Sequence, residues 1–422
     1  IRGGALIRGG SRGEPADKAG LAEVFIQAWR TGGTVKRNGD ALDDFLEMRA
    51  AKVETLGGPD STTIAFDCLK ETFDEVFPVF EEFLLSAPAF PQDKIALAKR
   101  QINTGISRRN DNPWGIAARE AAKLVYGADS PYAREPEYAT VNAVTRDDLL
   151  AWFKNHVRPN NVIMGIAGDF DAAQMAARLE KSFTAWPRGP GTARPEQKFP
   201  GPKPGVYVVE KEDVKQSTVY MVHLGITMDN PDYYALEVMN KIFGSGFSSR
   251  LLTNVRSRKG LAYSVAGGVG AGMDHPGMFR VVMGTKTEGT AAGIDALLEE
   301  IDNLRKKPVT PEELQRARDG LLNSFVFSYD SREKVLRQQA FLAHYGYPED
   351  FLERYEPGIH AVTAADVARV AEKYVHRDKL AILVVGRTKD FDRDLKSFGP
   401  VTALDIAIPG AAEGGEDTKS GR

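Results

Sequence analysis

The sequence predicts an α+β protein made of two homologous domains, each a mostly antiparallel sheet covered by helices. Three observations carry this: an internal repeat, a Pro/Gly-rich break between the copies, and strand-like and helix-like patterns mixed inside each copy. Val144-Thr145-Arg146-Asp147-Asp148 opens a helical pattern that runs to Val157 and leads into the strand-like stretch 162–168. Val362-Thr363-Ala364-Ala365-Asp366 opens another that reaches Val375 and leads into 380–386. The two series superpose without a gap, and Thr-x-x-Asp is a capping-type helix start in both. Phe90-Pro91-Gln92-Asp93-Lys94 and Thr310-Pro311-Glu312-Glu313-Leu314, each opening a helix with arginines, form a second pair at nearly the same spacing. A period of about 220 residues is far too long for a solenoid repeat and means a duplicated domain.

The first copy is expected over 1–188 and the second over 206–409, with a linker at 189–205 and a tail at 410–422. Pro187, Gly189, Pro190, Gly191 and Pro195, then Pro200, Gly201, Pro202 and Pro204, disfavour any regular element in the linker. Helical periodicity runs over 42–55, 73–86 and 291–305; alternation marks strands at 205–209, 217–224, 261–269 and 277–283. The tail has no large apolar residue and is expected to be mobile.

With 422 residues, 42% hydrophobic and 27% charged, the chain has material for full-sized cores. Lys plus Arg (55) nearly balance Asp plus Glu (58), and no long basic block exists, so no nucleic-acid partner is expected. The single cysteine, Cys68, excludes an internal disulfide and a thiolate zinc site. Apolar runs are too short to span a bilayer, which takes about 20 residues. The chain opens at Ile1 with no charged-then-apolar leader, so any signal peptide is expected to have been removed or to lie outside it.

Searches for familiar chemistry return little. There is no Gly-x-Ser-x-Gly elbow and no phosphate-binding Gly-x-x-x-x-Gly-Lys-Ser/Thr, and the glycines at 267–272 do not fit a dinucleotide fingerprint. The six histidines are His156, His223, His275, His344, His360 and His376, and no two stand four apart as a helical zinc pair would. His156 and His376 sit at the ends of the repeated helices, an ordinary structural place for an imidazole.

Two segments are more particular. Gly10-Ser11-Arg12-Gly13-Glu14-Pro15 precedes Gly20-Leu21-Ala22-Glu23-Val24-Phe25-Ile26-Gln27; locally this reads as strand, turn and amphipathic helix. Gly246-Phe247-Ser248-Ser249-Arg250-Leu251 continues to Arg256-Ser257-Arg258-Lys259-Gly260-Leu261-Ala262-Tyr263-Ser264, which reads as a helix with cations in its last turn, then a strand.

Together these segments resemble the pitrilysin/insulinase family of zinc peptidases, in the branch of mitochondrial processing peptidase and its bacterial relatives. The resemblance spans nearly the whole chain and implies a two-domain unit that forms half of a clamshell. Family peptidases carry His-x-x-Glu-His after Gly-x-Ala, two zinc ligands and a general base that activates the metal-bound water. Here Glu23, Ile26 and Gln27 stand at those positions, and the third ligand's place falls on Thr104. No histidine precedes His156, so no shift of frame restores the motif. The resemblance therefore implies no zinc in this chain. The second-domain element is intact: Arg256 and Tyr263, seven residues apart, match the family's pair that binds the substrate carbonyl and stabilises the oxyanion. The implied role is that of a non-catalytic subunit lending Arg256 and Tyr263 in trans to a zinc-bearing paralogue with His-x-x-Glu-His, acting on a peptide substrate. The long glycine-rich loop of the mitochondrial α subunit is absent. The competing expectation is a structural or peptide-binding homologue with no part in proteolysis. A homodimer in isolation and a periplasmic or secreted location follow only by family analogy.

Overall fold

The computed structural model describes residues 1–189 and 197–410. The centre of the expected linker, 190–196, and the expected mobile tail from 411 onward lie outside the described residues.

The first sheet holds β1 (Arg2–Arg8), β2 (Lys52–Gly57), β3 (Ser61–Asp67) and β4 (Val162–Ala167), antiparallel throughout in the order β2-β3-β1-β4. Strand alternation turns Ala5, Ile7, Val53, Ile64 and Phe66 onto one face. There they pack with aromatic residues of the helices α1 (Leu21–Gly32) and α3 (Phe73–Leu85). Helices α2 (Gly39–Glu47), α4 (Gln92–Ser107), α5 (Pro113–Tyr126), α6 (Tyr138–Asn142), α7 (Arg146–His156) and α8 (Ala172–Phe183) complete this half of the chain.

The second half contributes β5 (Gly205–Glu210), β6 (Gln216–Leu224), a short parallel pair β7 (Ile226–Thr227) and β9 (Ala271–Gly272), β8 (Ser264–Val269), β10 (Met278–Lys286), β11 (Ala381–Gly386) and β12 (Val401–Ala403). The main sheet runs β12-β5-β11-β6-β10-β8, with β5 parallel to both its neighbours and the other pairs antiparallel. Its helices are α9 (Tyr233–Phe243), α10 (Thr290–Lys306), α11 (Pro311–Ser328), α12 (Arg332–Tyr345), α13 (Tyr355–Ala361) and α14 (Ala364–Tyr374). The fold is the expected pair of helix-covered, mostly antiparallel sheets.

The repeat is structural. Helices α7 and α14 are both 11 residues long and both open on a reciprocal capping box. The Asp148 N–H donates to Thr145 Oγ1 at 3.2 Å and the Thr145 N–H to Asp148 Oδ2 at 2.7 Å. Asp366 and Thr363 repeat this at 3.1 and 3.0 Å. One boundary differs from expectation. The helix expected over 42–55 stops at Glu47; Ala50 takes a left-handed φ of +48°, and Lys52 starts β2. Leu42 and Leu46 follow the helical period into the core, whereas Lys52-Val53-Glu54-Thr55 alternates and pairs with β3, so the two-residue period prevails there. The strand expected from Leu261 likewise begins only at Ser264, because Leu261 N–H donates back to Val255 O and still belongs to the preceding turn.

Nothing in the periodicity foretells the most consequential packing. Helix α5 lies on the second half's sheet, burying Ile116, Ala117, Ala121 and Val125 against Val209, Val222, Leu383 and Val385. Helix α12 lies on the first half's sheet, with Leu336 over Gly165 of β4. The two are 14 residues each and end alike, at Tyr126-Gly127 and Tyr345-Gly346, so the halves exchange equivalent helices. Both terminal tyrosines join a polar lock between the halves. Tyr126 OH donates to Pro276 O at 3.1 Å, and Tyr345 OH donates to Asp60. Arg12 grips Asp60 with bonds of 2.7 and 2.8 Å, stands 3.5 Å from Asp274 of the second half, and covers the Tyr132 ring. Beneath α12 a cavity of about 490 Å³ remains, walled by Leu6, Leu56, Ala65, Leu336 and Phe341.

Truncating a fully buried Ile in this exchanged helix opens a cavity between the halves, at a cost of about 2–5 kcal/mol. Ile116→Ala should therefore lower the unfolding free energy of the whole chain by that amount, read from one urea transition. A change confined to the first half would show that α5 does not unite them.

Candidate functional site

The first segment builds a helix start. Gly20 takes φ +99°, a left-handed conformation that a side chain would strain, and offers no capping oxygen for α1. Glu14 supplies one instead: its two carboxylate oxygens accept from Gly20 N–H and Ala22 N–H, each at 2.9 Å. Glu14 is 6% exposed. Burial pushes its carboxyl above the usual range, and the Ala22 and Gly20 N–H groups pull it partly back. So Arg12 and Glu14 of this segment hold the halves together and cap the helix.

Helix α1 then turns Glu23, Ile26 and Gln27 away from the core side of Val24, Phe25 and Ala28. Gln27 Nε2 donates to Glu23 Oε1 at 3.3 Å, so the two residues expected at the ligand positions bond each other. Ile26, expected at the general-base position, packs against Gly57 of edge strand β2, its Cδ1 2.1 Å from where a Cβ on Gly57 would stand. An alkyl group there can move no proton. Thr104 lies on α4, a packed neighbour of α1, and spends its hydroxyl on Arg100 O at 2.9 Å. Among the described residues no three His, Cys, Asp or Glu groups converge to hold a metal. Three of the six histidines are engaged elsewhere in the fold. His156 stacks on Trp152 at 3.9 Å, and burial lowers its pKa. His223 lies on Phe279, brought down to about 4 by burial, and accepts from the His376 N–H.

The second segment divides sharply. Arg250 makes a two-pronged pair with Glu313, both bonds 2.8 Å, and reaches Pro308 O, tying the segment to the start of α11. Arg258 donates to Asn254 at 3.1 Å and Lys259 pairs with Glu299. Arg256 is exposed and, among the described residues, has no hydrogen-bond or ion-pair partner. Gly260 at φ +64° ends the turn, and the Tyr263 N–H donates to Gly284 O at 2.8 Å, anchoring the backbone just before β8. The Tyr263 side chain is 51% exposed. The structure thus puts Arg256 and Tyr263 on one turn-and-strand unit with both side chains reaching solvent.

A family model described as insulinase (peptidase family M16) matches residues 3–123, and one described as the peptidase M16 inactive domain matches 143–321. The chain belongs to the insulinase, or pitrilysin, family of peptidases, as a member without the catalytic features. Among its relatives, the non-peptidase homologue YmxG of Helicobacter pylori is 24% identical over 91% of this chain and 88% of that protein. The probable inactive metalloprotease YmfF of Bacillus subtilis is 24% identical over 68% and 67%. An uncharacterized zinc protease of Rickettsia felis is 23% identical over 87% and 88%. A crystal structure of a peptidase M16 inactive domain from Pseudomonas fluorescens superposes with a TM-score of 0.82 at 25% identity, over 91% of this chain and 92% of that one.

Removing the Glu14 carboxylate strands two buried N–H groups, each worth about 1–3 kcal/mol. Glu14→Ala should lower unfolding free energy by about 2 kcal/mol or more, and Glu14→Gln, which keeps one acceptor, by less. Equal stability of Glu14→Ala and the parent in urea titration would contradict the capping role.

Proposed function

We propose that this chain is a non-catalytic subunit of a zinc endopeptidase, supplying Arg256 and Tyr263 to the active site of a metal-bearing paralogue. The observation that carries this reading is the division within the second segment. Arg250, Arg258 and Lys259 have partners within the chain, while Arg256 and Tyr263 extend into solvent. An exposed guanidinium with five donors suits a peptide carbonyl, and a phenol hydroxyl suits the oxygen that becomes negative when water adds to it. Neither group can generate the nucleophile. In this reading zinc and general base come from the partner, and the substrate lies between the two chains. Two relatives named as a non-peptidase homologue and a probable inactive metalloprotease support the non-catalytic half of the proposal.

The test is turnover of a peptide by the reconstituted complex. Loss of an oxyanion donor costs about 10²–10³ in rate, so Arg256→Ala or Tyr263→Phe should slow the complex by about 10²-fold or more while leaving its assembly intact. Unchanged turnover in both variants would favour a structural or peptide-binding homologue.

A further inference from the structure

The turn that carries Tyr263 is reached from the first half of the chain. Tyr263 precedes β8, which pairs with β10 at the edge of the main sheet. The ladder between the two strands ends at the pair Ser264–Gly284, and the 2.8 Å bond from the Tyr263 N–H to Gly284 O closes it. The end of an edge ladder is where pairing opens first, and a glycine in a strand weakens it further because it brings no side chain to pack.

Gly284 is nevertheless buried, and what covers it is Trp114 of the first half. A Cβ on Gly284 would stand 3.0 Å from Trp114 Cζ2 and 3.1 Å from Ser264 Oγ, so the indole fills the place of the missing side chain. The same ring meets Tyr220 of β6 edge-on, with centroids 6.0 Å apart. An aromatic ring laid over a strand glycine restores the packing that glycine forfeits, and by excluding water it strengthens the hydrogen bond beside it.

Local sequence sets the indole in place. Asn112-Pro113-Trp114 opens α5: the Asn112 side chain accepts from the Trp114 N–H at 2.9 Å, and Pro113 stands in the first turn, where its missing N–H costs nothing. Ile116, Ala117, Ala121 and Val125 then fix the helix on the second sheet. Trp114 itself is only half-buried, so the seal of that contact falls to those four residues rather than to the indole.

We propose that Trp114 is a positioning residue for Tyr263: from the first half it holds the end of the β8–β10 ladder closed and so fixes the direction in which the phenol projects. The link to turnover rests on the functional reading above; the hold on the ladder does not.

Amide exchange tests the hold on the full chain alone, with the tyrosine nitrogens isotopically labelled and the Tyr263 signal assigned by its absence in Tyr263→Phe. Trp114→Ala should speed exchange of the Tyr263 N–H by about tenfold, while Tyr207 and Tyr220, on inner strands of the same sheet, keep their protection. Trp114→Phe, which keeps a ring over Gly284, should restore most of the loss. Ile116→Ala, which loosens the same helix two residues on, should leave exchange at Tyr263 unchanged. In the reconstituted complex Trp114→Ala should lower kcat by about tenfold with KM little changed, since misplacing a catalytic group costs rate rather than binding. It should slow the Tyr263→Phe variant no further. The proposal is overturned by unchanged exchange at Tyr263 in Trp114→Ala, by equal acceleration at Tyr207 and Tyr220, or by an effect as large in Ile116→Ala. A normal kcat beside a slow Tyr263→Phe, or a loss that multiplies with that of Tyr263→Phe, overturns it as well. If Trp114→Ala does not fold, Trp114→Leu takes its place in every comparison. If Tyr263→Phe turns over normally, the functional reading fails, and the exchange result still decides the hold on the ladder.

Discussion

The structure depends on the exchange of α5 and α12 between its halves. Each sheet has one face covered by its own half's helices, and the opposite face would meet water were it not for a helix from the other half. Four residues of α5 at zero exposure seal the second sheet, and the Arg12–Asp60–Tyr345 lock closes the seam where both exchanged helices end. Because the apolar contact crosses the seam, the halves cannot rotate freely about their linker. That constraint fixes the placement of α1 relative to the turn that carries Arg256 and Tyr263, as the proposed role of completing another chain's active site requires.

Within this frame the signature residues separate by what they touch. Glu14 and Arg250 are bound up in capping and cross-linking within this chain. Glu23, Ile26, Gln27 and Thr104, expected from the resemblance to stand at the catalytic positions, bond each other, pack on Gly57 or bond their own helix. Arg256 and Tyr263 are held in place through the backbone while their side chains remain unspent.

Much of this is legible in the sequence. Thr145 and Thr363 announced their helices because a capping box is a local device, written in four consecutive residues. The missing histidines were legible because ligands are residue types. The boundary between α2 and β2 was not, since Arg49, Ala50 and Ala51 suit either element and only pairing with β3 decides. Nor was the helix exchange: amphipathic periodicity says which face of α5 is apolar but not which sheet it meets. The Tyr-Gly endings at 126–127 and 345–346 were a usable signal, marking α5 and α12 as equivalents.

The central claim is that the chain carries no catalytic metal and acts through a partner's. Zinc content and peptide hydrolysis, measured first on the chain alone and then with a paralogue bearing His-x-x-Glu-His, test it most directly. The account predicts a zinc-free, inert chain that raises the paralogue's turnover. Stoichiometric zinc with hydrolysis by the chain alone would contradict it.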